Sequence, residues 1–118
     1  MVTIERLAEA ALNGESLLLR SLTQDLMHEH PILSNCPKPR TDDPRVLAAA
    51  ASLVELLSLR VGQSPPAWAN QVGALGEPIY LVKAAASMKH LRLLCETEAP
   101  EPLRKRGFYA PPNFLEFV

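Results

Sequence analysis

Apolar positions fall into three windows separated by prolines, and each window repeats at helical spacing. Ile4, Leu7, Ala8, Ala11 and Leu12 stand at i, i+3, i+4, i+7 and i+8, which lines one face of an amphipathic helix. Thr3 offers an acceptor for first-turn amides, and Gly14 supplies the left-handed conformation that commonly ends a helix. A second helix follows through Leu18, Leu19, Leu22, Leu26 and Met27 until Pro31 stops it, making a hairpin or a broken rod. In the middle window Asp43 and Pro44 form a helix start. Val46, Leu47, Ala50, Leu53, Val54, Leu57 and Val61 then give the strongest stripe in the chain, and the spacing predicts a central core helix over 44–61, ended by Gly62. Ser58, at the edge of that stripe, can bond back to a carbonyl of the preceding turn. In the third window Ile79-Tyr80-Leu81-Val82 suits either a helix continuing through Ala84-Ala85-Ala86 or a short strand. A lone strand has nothing to pair with, so helix is expected, with another from Ser87 through Leu91, Leu94 and Cys95.

These elements predict an all-α fold: a single domain over 1–118, a bundle of four to six helices, with a Pro- and aromatic-rich tail (107–118) wrapped across the outside. A length of 118 residues gives one domain with an ordinary core. Composition agrees, at 47% hydrophobic and 21% charged residues, which is the profile of a globular chain rather than a disordered one. Twelve Lys and Arg against 13 Asp and Glu leave no electrostatic footprint for a polyanion, so a nucleic-acid partner is not expected. The longest apolar run, Val46 to Val54, is far short of the ~20 residues that span a bilayer. An acidic start, Met-Val-Thr-Ile-Glu-Arg-Leu-Ala-Glu, lacks the basic and apolar regions of a secretory signal, and Cys36 and Cys95 form no Cys-x-x-Cys pair. The expected location is the cytoplasm, with reduced thiols.

Candidate chemistry is sparse. His28, His30 and Cys36 could meet around a metal if the chain folded back at Pro31, but i and i+2 diverge on a helix and no fourth Cys or His is near. The better reading places both histidines in a last helical turn, where cations suit the macrodipole. Asp42-Asp43 reads as a cap. The five glycines are too scattered for a phosphate cradle, and Gly73-Ala-Leu-Gly76 reads as a turn. Leu12, Leu19, Leu26 and Leu33 recur every seven residues, yet Gly14 and Pro31 interrupt any zipper. No catalytic residue and no cofactor follow from the residues. Arg104-Lys105-Arg106 is the one basic run; with Lys83, Lys89 and Arg92 it carries the alternative reading, a small nucleic-acid-binding regulator.

The aromatics are the least evenly spread residues: one Trp, two Tyr and three Phe, none before Trp68. Phe108, Tyr109, Phe114 and Phe117 crowd a stretch too apolar to be a solvated tail. It docks either on its own helices or on a partner, where aromatics and arginine are enriched. The stretch from Leu91 to Leu115, with Glu98-Ala-Pro-Glu-Pro-Leu-Arg-Lys-Arg and a closing Asn113-Phe114-Leu115, resembles the tail of small bacterial helical proteins. Some of those look like antitoxin-side partners encoded beside nucleotidyltransferase-like proteins. Thr41-Asp42-Asp43-Pro44 and Pro65-Pro66-Ala67-Trp68 are similar to elements of the same proteins. The aromatic tail motivates a non-enzymatic protein-interaction module, and the resemblance implies an antitoxin-like or adaptor type. Its partner-binding candidates are Trp68, Leu103, Arg104, Arg106, Phe108, Tyr109, Phe114 and Leu115. The alternative is that the arginines hold the tail to Glu96, Glu98 or Glu101 of the same chain. The partner is another protein of unspecified identity, or a second copy in a homodimer that buries surplus apolar surface symmetrically.

Overall fold

Prolines and capping side chains set the element boundaries in the computed structural model, which describes residues 3–115. Helix α1 (Ile4–Leu12) starts where Thr3 Oγ1 accepts a bond from the Arg6 amide at 3.3 Å. Gly14, at φ 69°, turns the chain into α2 (Ser16–Glu29). After a proline-rich loop, Asp43 Oδ1 accepts from the Arg45 amide at 2.9 Å and Pro44 opens α3 (Pro44–Arg60). The helix ends one residue short of the expected boundary, because Val61 has left helical geometry ahead of Gly62 at φ 71°.

Helix α3 is the centre of the core, with α1 and α5 (Glu101–Arg104) packed on it. Ala48, Ala49, Ala50 and Ala51 are all buried, and such small side chains let neighbouring backbones approach closely. Thr23, Ser52 and Ser58 are buried too, and each hydroxyl donates to the carbonyl four residues back: Leu19 at 2.7 Å, Ala48 at 2.8 Å and Val54 at 2.7 Å. Leu18 departs from the expected stripe. It is 39% exposed, because the buried face of α2 is set by Leu19, Leu22, Thr23 and Leu26.

The third window is the main correction. Ile79–Tyr80 is not helical but forms strand β1, pairing in parallel with β2 (Phe108–Tyr109). The Ile79 amide donates to the Gly107 carbonyl at 2.9 Å and the Leu81 amide to Tyr109 at 3.0 Å. A 3-10 turn at Lys83–Ala86 follows, and α4 (Lys89–Glu98) begins two residues beyond the expected Ser87. The molecule is mostly helical, and among the described residues no helix is long and apolar enough to cross a membrane.

Candidate functional site

The eight partner-binding candidates divide sharply. Leu103, Arg106, Phe108 and Leu115 are buried, Trp68, Tyr109 and Phe114 are half-buried, and Arg104 is exposed. Buried side chains offer no surface to a partner; these four form part of the molecule's own interior. Phe117, the remaining tail aromatic, lies outside the described residues.

Arg106 has the most constrained position. Only 2% exposed, it donates through Nε to the Val72 carbonyl (3.1 Å), through Nη1 to Pro102 (3.1 Å), and through Nη2 to Ala69 (2.7 Å) and Glu55 Oε1 (3.2 Å). Lys105 reaches the other oxygen of Glu55 at 2.6 Å. The arginine is therefore held inside the chain as the alternative reading expected, but by Glu55 of α3 rather than by Glu96, Glu98 or Glu101. Burial pushes the Glu55 carboxyl up, yet hydrogen bonds and charge from Lys105 and Arg106 outweigh it and hold the group below its ordinary value. A signal for this was present: Glu55 is the one charge between Arg45 and Arg60, and a carboxylate on a core helix requires a cation.

The same pairing reduces the basic run. Lys105 and Arg106 share the one carboxylate of Glu55, while Arg92 pairs with Glu96 at 3.3 Å and lies 5.4 Å over the Tyr80 ring. The Tyr80 hydroxyl donates to Glu96, which raises the phenol above its usual value, and its ring stands 5.5 Å from that of Tyr109. Lys83 and Lys89 are exposed.

The histidines follow the helix-end reading instead of a metal set. His28 is exposed in the last turn of α2, His30 follows as its cap, and Cys36 is buried, with desolvation pushing its thiol up to about 11. Among the described residues no group of three or more His, Cys, Asp or Glu could hold a metal ion. Trp68 turns inward as well: its indole N–H donates to the Cys36 carbonyl at 2.8 Å and pins the proline-rich loop against the turn at Ala67–Gln71.

Two surface features remain that the sequence did not single out. At the C-terminal end of α3, the Gln63 amide bonds both the Pro31 carbonyl and the Leu33 amide at 2.8 Å, which brings Ile32 to the end of the helix. Ile32 (56% exposed), Leu59 (67%) and Val61 are thus exposed around the C-terminal end of α3. Leu59 also lines a groove of ≈ 220 Å³ together with Gln63, Pro65, Pro102 and the carboxylates Glu55 and Glu101. The second feature is an apolar cleft at the α1–α2 turn, closed on one side by Pro111, Phe114 and Leu115. No family model matches the chain, and no match is found among the curated proteins or the solved structures.

Proposed function

We propose that this chain is a non-enzymatic protein-interaction module, antitoxin-like or adaptor in type, acting in the cytoplasm. The observation that carries the reading is the exposed apolar end of α3, where Ile32, Leu59 and Val61 are all exposed and Leu59 lines a groove. Single exposed apolar side chains are ordinary, but a grouped set next to a recess is the form that interface anchors take. The docking role assigned to the tail thereby moves to this end, because Phe108 and Leu115 are engaged inside the chain.

The test compares tagged wild-type protein with an Ile32→Glu, Leu59→Glu double variant. Both positions are exposed, so the variant retains the wild-type circular dichroism spectrum. A stoichiometric partner identified by mass spectrometry with the wild type and lost with the variant supports the reading. So does a wild-type dimer that light scattering shows to be monomeric in the variant, which selects the second copy as partner. Identical capture by both proteins, or a monomeric wild type that retains nothing, overturns it.

A further inference from the structure

The cleft at the α1–α2 turn has a volume of ≈ 410 Å³, which lies in the range of small-molecule sites. Its walls are apolar and come from Ala10, Ala11, Leu19, Leu81, Phe114 and Leu115. The outer wall is firmly held. The Arg60 guanidinium donates to the Pro112 carbonyl at 3.0 Å and to that of Phe114. Leu115 is buried at φ 62°, a left-handed conformation that a bulky side chain adopts only when its surroundings impose it, and such strain gathers at ligand clamps.

The mouth has a different character. Gly14, Glu15, Ser16 and Lys83 border it. The aliphatic stem of Lys83 lies across Gly14, where a Cβ would sit 2.7 Å from Lys83 Cγ. The missing side chain thus makes room for the lysine to follow the rim. Helix α2, 14 residues long, begins here without a side-chain cap, so the positive end of its dipole lies at Glu15 and Ser16, which border the opening. Lys83 and the helix start together set two positive contributions against the one carboxylate of Glu15.

From this pairing of an apolar interior with a positive mouth, we propose that the cleft binds a free aliphatic carboxylate. The alkyl chain lies among the apolar walls and the carboxylate sits between Lys83 and the start of α2. The site is separate from the apolar end argued above, so either can fail without the other.

Calorimetric titration of the full chain with sodium octanoate, 1-octanol and phosphatidylglycerol vesicles tests this. Octanoate is expected to bind saturably, in the millimolar range or tighter. Ala84→Trp or Ser16→Trp, both at exposed positions on the rim, should abolish binding while circular dichroism stays unchanged. Lys83→Glu should weaken octanoate by about fivefold and Glu15→Gln should tighten it, with octanol indifferent to both. No saturable octanoate binding, or binding untouched by either tryptophan, overturns the site. Equal losses of octanoate and octanol in Lys83→Glu overturn the carboxylate assignment, and binding to vesicles but not to octanoate overturns the free ligand in favour of a membrane headgroup.

Discussion

At the scale of single residues, the Arg106–Glu55 pair most clearly separates structural from interactive charge. Its guanidinium satisfies three carbonyls and a carboxylate inside the molecule. Arg106→Leu removes the donor from three carbonyls and leaves Glu55 with Lys105 alone, and we expect a loss of about 3–5 kcal/mol in urea denaturation. The same pair sets an acid response. Because Glu55 is held below its ordinary value of 4.5 in the folded state, its contribution is present above that pH and is lost as the pH falls through the lower, folded value. Wild-type stability should therefore drop on acidification below about pH 4.5, and Glu55→Gln, weaker at neutral pH, should show a flatter profile.

Elements were legible where the signal is local. Thr3, Gly14, Asp43-Pro44 and Gly62 mark helix ends by their own chemistry, and α1, α2 and α3 fall within a residue or two of where those marks place them. The β1–β2 ladder was not legible, because two-residue strands carry no periodicity and each finds its partner far along the chain. Nor was the Arg106 cage, whose carbonyls come from the Ala69–Val72 turn and from Pro102. Leu18 was misplaced because it sits at the margin of a stripe whose centre is Leu22 and Leu26. The ladder itself depends on Gly107, at φ 92°, where a Cβ would stand 3.0 Å from the Glu77 carbonyl. Gly62, at φ 71°, has nothing within 4 Å of that position. Gly62→Ala should then cost about 1 kcal/mol from backbone conformation alone, and Gly107→Ala about 2–3 kcal/mol, with a correspondingly larger fall in thermal midpoint.

At the scale of the whole molecule, one core runs from Ile4 to Leu115 and includes Leu81, Leu103, Phe108 and Ala110. The aromatic segment is thus part of what the early helices need in order to be stable. Phe108→Ala should remove about 3–5 kcal/mol of a total near 5–15 kcal/mol, while Phe114→Ala, at a half-buried position, should cost visibly less. Measured by chemical denaturation, equal and small effects for the two would place Phe108 outside the core. The half-buried Trp68 adds a practical consequence. It is the chain's single tryptophan, and its indole is hydrogen-bonded to the loop that it pins. The protein therefore carries its own optical label at the seam between the proline-rich loop and the helical core: a shift in emission ahead of the loss of helical ellipticity would time the release of that loop separately from the melting of α3.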